Sequence, residues 1–280
     1  MTVRALYNEI KKQLSDFAED PAFEALCFIE DVFGMDRSAL LVNGNREADG
    51  EAAEKVMAFS KRRIEGEPLQ YILGKWPFMD LELFCGEGVL IPREDTSVLV
   101  HAAKERLNGK NDAVGIDLCA GTGAVALSVA KETGAKMTAV ELYDAAFAYL
   151  ERNLAKYPAL SVEGVHGDVL SRAFADSVSG TFDLIVSNPP YIETEELPTL
   201  QREVRKEPMT ALDGGEDGLV FYRAICDLWI KKLCPGGVLA VEIGETQGEA
   251  VAVLFCAAGL RDVRIHKDLS DLDRAVSGIK

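Results

Sequence analysis

Apolar residues recur at helical spacing over the first part of the chain. Across residues 1–75 they fall three or four positions apart, which predicts several amphipathic helices. Asp20 and Pro21 suit the cap and the first position of the second helix, and Gly34 suits its end. We therefore expect a small helical bundle. It serves either to stabilise the rest of the chain or to dock a partner, and the pattern favours neither role.

The period changes in residues 67–92, where apolar and polar positions alternate. Gly86 to Gly88 provide a glycine turn in this stretch, so the pattern predicts a β-hairpin, which we assign to residues 76–92 as a linker. A further helix then begins, with Asp95 or Thr96 as its cap.

In residues 93–280 short apolar runs alternate with helical patterns, which predicts a parallel sheet covered by helices on both faces. The strands are expected at residues 113–118, 137–140, 161–165, 182–186 and 238–243. A helix is predicted over residues 219–233, ended by Pro235-Gly236-Gly237. The last two apolar runs, residues 263–266 and 274–279, are close enough in the chain to pair as an antiparallel hairpin.

A glycine turn follows the first of these strands. Gly121 and Gly123 allow the backbone to turn tightly and to approach a ligand, and the helix that begins near Ala124 offers free N–H groups. Glu141 ends the next strand, about twenty residues later, where an acidic side chain can accept hydrogen bonds from ribose hydroxyls. The pattern predicts a cofactor of the nucleotide type.

The fourth strand ends in Asn188-Pro189-Pro190-Tyr191. The prolines restrict the backbone, so the side-chain oxygen of Asn188 and the carbonyl groups of Asn188 and Pro189 form a cluster of acceptors beside the Tyr191 ring. Two fixed acceptors and an aromatic face suit a planar NH2 group, in an amide or in an exocyclic amine. The alternative interpretation is a strand ended by proline, with Asn as a turn former.

Composition limits the classes of protein to which this chain can belong. The 280 residues are 48% hydrophobic and carry a net charge of −16, which argues against a broad nucleic-acid-binding surface. The six cysteines include no CxxC pair and the three histidines lack zinc-ligand spacing, so we expect reduced thiols and no metal. The first five residues lack the continuous apolar core of a signal peptide, and no apolar run approaches the roughly 18 to 20 residues needed to span a bilayer. A cytoplasmic protein is expected.

The order of these motifs resembles that of the class I S-adenosylmethionine-dependent methyltransferases, and several blocks are similar to the release factor glutamine methyltransferase family, PrmC or HemK. The blocks are residues 66–74, 89–93 and 186–192, Glu207-Pro208 with Ala211-Leu212, Gly214-Gly215, residues 217–219, and Asp273-Arg274. Together they run from about Gly66 to the end of the chain, which makes coincidence a poor explanation.

The resemblance implies a Rossmann-like α/β fold with a mostly parallel sheet and an antiparallel last strand. It implies a helical substrate-docking domain at residues 1–75, the hairpin linker at 76–92, and a methyltransferase domain at 93–280. The implied reaction moves a methyl group from S-adenosylmethionine to the side-chain amide N5 of the glutamine in the GGQ motif of bacterial peptide chain release factors. We expect the chain to act as a monomer.

The resemblance also assigns site residues by position. For the cofactor these are Cys119, Ala120, Gly121, Thr122 and Gly123 around the methionine part, Glu141 at the ribose, Asp168 and Val169 at the adenine, and in addition Asp117 and Asn188. For the substrate they are Arg93, Asn188, Pro189, Pro190 and Tyr191, of which Asn188, Pro189 and Tyr191 form the catalytic group.

The chain departs from the family pattern at four places. The family usually has Gly where Cys119 stands, and often Ser or Thr at Ala120. It usually has Asp in place of Glu141, and Pro followed by Glu in place of Glu94 and Asp95. Cys119 changes the loop geometry if that position needs a φ above zero. Glu141 keeps the negative charge, so we expect the affinity for the cofactor to change more than its identity.

Three other functions remain open at this stage. An adenine-N6 nucleic-acid methyltransferase would use the same acceptor turn, although the acidic composition argues against it. A dinucleotide-dependent oxidoreductase would use the glycine turn but has no need of Asn188 and its prolines. A non-catalytic cofactor-binding protein would keep the fold without turning over a substrate.

Overall fold

The computed structural model describes residues 1–107, 109–110 and 112–280, and the chain divides into two compact units. The first unit comprises residues 1–75 and 201–206, and the second comprises residues 76–200 and 207–280. No helix in the described ranges is long and apolar enough to cross a membrane.

The first unit is helical. Its helices are α1 (Val3–Gln13), α2 (Pro21–Phe33), α3 (Arg37–Asn43), α4 (Gly50–Ile64) and α5 (Leu69–Leu73). The predicted ends of α2 are confirmed, because the Asp20 carboxylate accepts from two backbone N–H groups of its first turn and Gly34 ends it with φ 63°. Helices α1, α2 and α4 pack around Leu6, Ile10 and Phe28, which are fully buried.

Residues 201–206 join this helical unit from a distant part of the chain. Arg63 on α4 is almost completely buried and pairs with Glu24 at 2.7 Å and also with Glu203. The Arg202 guanidinium donates to the backbone carbonyl of Glu65 at 2.7 Å. The sequence patterns gave no indication of this association.

The second unit contains a seven-stranded sheet in the order β5-β4-β3-β6-β7-β9-β8. Its strands are β3 (Val114–Leu118), β4 (Lys136–Glu141), β5 (Val162–His166), β6 (Phe182–Ser187), β7 (Leu233–Glu242), β8 (Arg261–Lys267) and β9 (Asp273–Ile279). Strands β3 to β7 pair in parallel, and β9 pairs antiparallel with both β7 and β8. The predicted fold class, a Rossmann-like sheet with an antiparallel closing strand, is confirmed.

Helices cover both faces of this sheet. They are α6 (Ser97–Leu107), α7 (Ala124–Thr133), α8 (Asp144–Lys156), α9 (Arg172–Ser177), α10 (Val220–Ala224) and α11 (Gly248–Ala257). Along β6, Leu184 and Val186 enter one hydrophobic core and Ile185 enters the other, as the alternation of side chains requires. With both faces buried, the carboxyl edge of the parallel strands is the place where polar groups collect.

The hairpin differs from its prediction. Its strands are β1 (Lys75–Phe78) and β2 (Leu81–Phe84), so the turn is Met79-Asp80 and not Gly86 to Gly88. The alternation after residue 88 belongs to an extended segment, in which Val89 and Ile91 are buried. The Ile91 N–H donates to the carboxylate of Glu207 at 2.9 Å, which takes the place of a strand hydrogen bond.

The predicted helix over residues 219–233 is also wrong in detail. After α10 the chain forms a π turn, Ile225–Trp229, and a 3-10 turn, Ile230–Lys232. The buried indole N–H of Trp229 donates to the Val169 carbonyl at 2.9 Å, so the irregular turns place this ring against the neighbouring segment. Pro235-Gly236-Gly237 does not precede β7 but lies inside it, at a register shift opposite β6.

Candidate active site

The carboxyl ends of β3, β4, β5 and β6 open into one cleft of about 970 Å³, a volume that includes solvent at its mouth. Many of the residues assigned from the sequence line this cleft: Arg93, Cys119, Ala120, Gly121, Thr122, Glu141, Asp168, Val169, Asn188 and Pro190. The structure does not place Asp117, Gly123, Pro189 or Tyr191 on its wall.

The glycine turn after β3 uses left-handed backbone at three alternate positions, since φ is 68° at Cys119, 55° at Gly121 and 82° at Gly123. Cys119 is the residue for which this conformation is unfavourable, because its Cβ meets the backbone there. Gly123 is needed for space as well, since a Cβ at this position would lie 2.7 Å from the Leu150 side chain. The backbone at Cys119 thus has a φ above zero, the condition under which the departure from glycine matters.

Glu141 ties the turn to the end of β4. One carboxylate oxygen accepts from the Gly121 N–H at 2.9 Å, and the other accepts from the N–H groups of Leu142 at 2.8 Å and Tyr143 at 2.9 Å. An ionised carboxylate offers about four lone-pair sites, so three backbone bonds leave room for a further donor from a ligand.

Asp117 lies below the turn, fully enclosed by protein. One of its oxygens accepts from the Ala126 N–H of α7 at 3.0 Å, and the other has no hydrogen-bond partner among the described residues. Burial raises the pKa of Asp117 to about 8, and the nearby charge of Glu141 adds to the rise while the Ala126 bond opposes it. Burial, with the charges of Glu141 and Asp117, also raises the pKa of the Cys119 thiol.

Asn188 stands at the end of β6 with a defined orientation. Its side-chain Nδ2 donates to the hydroxyl of Thr96 at 3.2 Å. The opposite end of the amide is the oxygen, which is an acceptor. Asn188 and Pro190 line the cleft, so the structure brings this acceptor to the same cavity as the glycine turn. The predicted caps of α6 have other roles, because Thr96 takes this bond and Asp95 lies 3.4 Å from Arg274.

Tyr191 lies behind the cleft wall. Its hydroxyl is 3.5 Å from the carboxylate of Glu242, and its backbone carbonyl accepts from the Gln247 side chain at 2.9 Å. Burial raises the pKa of the Tyr191 phenol, and the charge of Glu242 acts in the same direction. Gly214 packs so closely that a Cβ there would lie 2.7 Å from the Tyr191 backbone. The residues after the two prolines are thus held from several sides.

Arg93 is paired and is not a free cation. Its guanidinium bonds the carboxylate of Glu207, which is 4% exposed and also accepts from the Ile91 N–H. This pairing connects the extended segment on one side of the cleft with Pro208 and Thr210 on another.

Sequence reasoning missed several residues of this region. Val89, Ile91, Tyr143, Pro208 and Phe221 line the cleft. Val89, Ile91 and Pro208 lie in blocks that resemble the family but were assigned no role, and no pattern marked Tyr143 or Phe221. Glu242 was visible as the one charged residue in an apolar strand, and that signal could have been used. Burial raises the pKa of Glu242 to about 7, while a hydrogen bond from Thr96 and the charge of Arg274 limit the rise.

The chain matches two family models and is similar to several curated proteins over its whole length. Residues 5–74 match the family model of the PrmC N-terminal domain, and residues 94–225 match that of the methyltransferase small domain. Among curated relatives, the release factor glutamine methyltransferase of Caulobacter vibrioides is 36% identical over 100% of this chain and 97% of its own length. Those of Moorella thermoacetica and Salmonella typhimurium are 37% and 35% identical over at least 96% of each chain.

Solved structures agree on the fold. The hMettl16 catalytic domain superposes with a TM-score of 0.57 at 12% identity, covering 99% of this chain and 93% of that one. The T. thermophilus 16S rRNA methyltransferase RsmC, solved with AdoMet and guanosine, gives 0.50 at 20% identity over 74% of this chain and 49% of that one. At such identities the likeness concerns the fold alone.

Proposed function

The chain belongs to the release factor glutamine methyltransferase family, and we propose that it transfers a methyl group from S-adenosylmethionine to the side-chain amide N5 of the glutamine in the GGQ motif of bacterial peptide chain release factors. The observation that carries this proposal is the orientation of Asn188, whose Nδ2 is bonded to Thr96 so that its oxygen is left as an acceptor. This acceptor lines the same cleft as the glycine turn.

The residues of the cleft fit the cofactor. S-adenosylmethionine carries a sulfonium and an ammonium group, and the acidic residues Glu141 and Asp168 line the same cleft as the turn. The Glu141 carboxylate keeps a lone-pair site for a further donor, because only three backbone N–H groups bond to it. Val169 and Phe221 offer apolar surface for a flat base. We therefore assign the methionine part to the turn, the ribose to Glu141 and the base to the side of Val169.

The chemistry demands orientation more than a strong base. S-adenosylmethionine supplies an electrophilic methyl group, and the carboxamide nitrogen is a poor nucleophile because its lone pair is delocalised into the carbonyl. In our proposal Asn188 Oδ1 and the Pro189 carbonyl each accept one N–H of the substrate amide, which orients the nitrogen for in-line attack and shifts electron density toward it. When the new C–N bond has formed, the nitrogen loses one of its protons to water or to a carbonyl oxygen.

Labelled methyl transfer tests this function directly. Purified, unmodified bacterial release factor is compared with a factor whose GGQ glutamine is replaced, and with double-stranded DNA. We expect label on the unmodified factor alone. Label on DNA would support an adenine-N6 methyltransferase instead, and cofactor binding without label on any substrate would support a non-catalytic binding protein.

Docking of the release factor by residues 1–75 is a further part of the proposal. Leu41 and Val42 of α3 are 69% and 78% exposed, and adjacent exposed aliphatic residues are suited to a partner. We expect a Leu41→Asp/Val42→Asp variant to raise the KM for release factor and to leave the affinity for S-adenosylmethionine unchanged. Val253→Asp, at a residue 67% exposed in the second unit, is the matched control. We also propose that the chain acts as a monomer, which light scattering of the purified protein checks.

A further inference from the structure

A buried hydrogen-bonded series lies directly behind Asn188. Asn188 Nδ2 donates to the Thr96 hydroxyl at 3.2 Å. The Thr96 hydroxyl lies close enough to the Glu242 carboxyl group, at the end of β7, to lower its pKa, and the Tyr191 hydroxyl is 3.5 Å from Glu242 Oε1. Thr96 is 3% exposed and Glu242 is 2% exposed. One carboxyl oxygen of Glu242, Oε2, has no hydrogen-bond partner among the described residues. The reaction proposed above assigns Glu242 no part.

The series decides which end of the Asn188 amide faces the cleft. An ionised carboxylate is only an acceptor, so the Thr96 hydroxyl must give its single proton to Glu242. The Thr96 oxygen then has only lone pairs to offer, and these select the NH2 end of Asn188. The carbonyl end is thereby held as the acceptor that a substrate amide needs.

A neutral Glu242 removes this selection. A protonated carboxyl group can itself donate to Thr96, and the Thr96 hydroxyl is then free to donate to the oxygen of Asn188. In that arrangement the amide turns over and presents NH2 to the cleft. A substrate NH2 group would meet donors where it requires an acceptor, and buried donors left without partners are unfavourable.

We propose that Glu242 is a positioning residue for methyl transfer, which acts through Thr96 to hold Asn188 with its oxygen toward the substrate amide. The inference rests on the proposed function for its catalytic consequence, while the orientation of Asn188 is a property of the free protein. Glu242 touches neither substrate nor cofactor in this scheme.

Several groups face Glu242 and set its ionisation. They are Arg274 from β9, Asp95 and Thr96 from the turn before α6, Tyr191 after β6, and Tyr222 of α10, whose hydroxyl donates to the Glu242 backbone carbonyl at 2.9 Å. Arg274 is itself paired with Asp268 at 2.9 Å and lies 3.4 Å from Asp95. Burial raises the pKa of Glu242 to about 7, so both protonation states are populated near neutral pH.

Kinetics of the 280-residue chain test the proposal. Thr96→Val removes the hydroxyl at nearly constant volume, and we expect kcat to fall about tenfold, the loss typical of one hydrogen bond, with S-adenosylmethionine affinity unchanged. Thr96→Ser restores the hydroxyl and should recover part of that kcat. In the wild type kcat should fall as the pH drops from 8 to 6, whereas in Glu242→Gln it should be lower at pH 8 and independent of pH over this range.

Tyr222→Phe is the matched control, because it removes a buried hydroxyl that bonds the Glu242 backbone and not its carboxyl group. We expect it to keep the wild-type pH profile of kcat. A wild-type kcat in Thr96→Val would overturn the proposal, as would an equal loss of kcat and of cofactor affinity, which indicates general damage to the cleft. An unaltered acid limb in Glu242→Gln would exclude Glu242 as its origin.

A measurement without turnover separates this inference from the proposed function. The side-chain NH2 resonances of Asn188, followed by NMR of the labelled protein, should shift with pH around neutrality in the wild type and stay constant in Glu242→Gln. Resonances that do not move in the wild type reject the inference even if methyl transfer is found. Resonances that move in a protein without transferase activity reject the proposed function and leave the orientation mechanism standing.

Discussion

The backbone N–H of Gly121 donates to the carboxylate of Glu141 at 2.9 Å, so the glycine turn after β3 is tied to the carboxyl end of β4. The same carboxylate bonds the N–H groups of Leu142 and Tyr143. The longer side chain of Glu, where the family usually has Asp, thus has local partners on both sides. This arrangement couples the shape of the turn to the residue proposed to bind the ribose.

Glu141→Gln should weaken cofactor binding. Glutamine has one acceptor oxygen, so its NH2 end must face either Gly121 or the pair Leu142 and Tyr143, and the negative charge is lost. We expect the Kd for S-adenosylmethionine to rise about tenfold or more, the equivalent of one hydrogen bond to a charged group, as measured by isothermal titration calorimetry. Glu163→Gln on β5, whose carboxylate accepts from Thr138 outside the cleft, is the control. Equal affinities in all three proteins would contradict the role.

Cys119 should tolerate glycine better than a branched residue. Its φ of 68° is accessible to glycine but strained for a β-branched side chain. We expect Cys119→Val to lower the unfolding free energy by about 2 kcal/mol, and Cys119→Gly to leave it nearly unchanged because relief of strain offsets the entropy of glycine.

Urea unfolding measures both variants. Cys226→Val, at a half-buried thiol with helical backbone, is the comparison that shares the side-chain change without the left-handed conformation. A loss of stability as large in Cys226→Val as in Cys119→Val would show that side-chain volume, and not backbone conformation, is responsible.

Asn188→Ala should separate turnover from cofactor binding. The substitution removes the acceptor oxygen and leaves the turn after β3 intact, so we expect kcat for release factor to fall about 100-fold, as when an oriented transition-state hydrogen bond is lost. The affinity for S-adenosylmethionine should change little. Thr210→Ala, which removes another polar side chain from the cleft wall, serves as the control. A turnover number equal to that of the wild type would rule out the acceptor role.

The sequence was sufficient for features that depend on neighbouring residues. Strands β3, β4 and β6 and the second half of β7 contain runs of apolar residues, and the caps of α2 and the glycine turn follow from Asp20, Gly34 and the Gly121 region. The position of Cys119 could be identified as critical because a glycine was expected there, and its positive φ bears out that concern.

The features that the sequence did not predict depend on contacts between distant parts of the chain. The alternation at Val89 and Ile91 resembles that of a strand, but the Ile91 N–H bonds Glu207, which lies 116 residues away. The helix after residue 219 becomes irregular where the Trp229 indole reaches the Val169 carbonyl. In the same way Glu242 acquires significance only when the fold brings it beside Thr96, since neither residue lies near the other in the chain.

We expect Asp117 to make the stability of the fold decrease as the pH is raised toward 8. Burial raises the pKa of its carboxyl group from 3.8 to about 8. Between these values the unfolded chain has lost the proton and the folded chain retains it, so raising the pH favours unfolding. The contribution of this group is therefore fully favourable below about pH 4 and is lost progressively toward pH 8, by up to about 1.4 kcal/mol for each pH unit.

Asp117→Asn removes this contribution and keeps an oxygen that can accept from the Ala126 N–H. We expect the variant to gain stability relative to the wild type as the pH is raised from 5 to 8, measured by urea unfolding at each pH. Asp183→Asn is the control, because the pKa of Asp183 is shifted in the opposite direction. Partial burial raises this pKa, but the hydrogen bonds from Lys110 and Cys234 outweigh that effect and the net shift is downward. Asp183 is therefore ionised in both the folded and the unfolded chain between pH 5 and 8, and its contribution to stability is constant over this range. If the wild type and Asp117→Asn follow parallel curves, the buried carboxyl group does not keep its proton in the folded state.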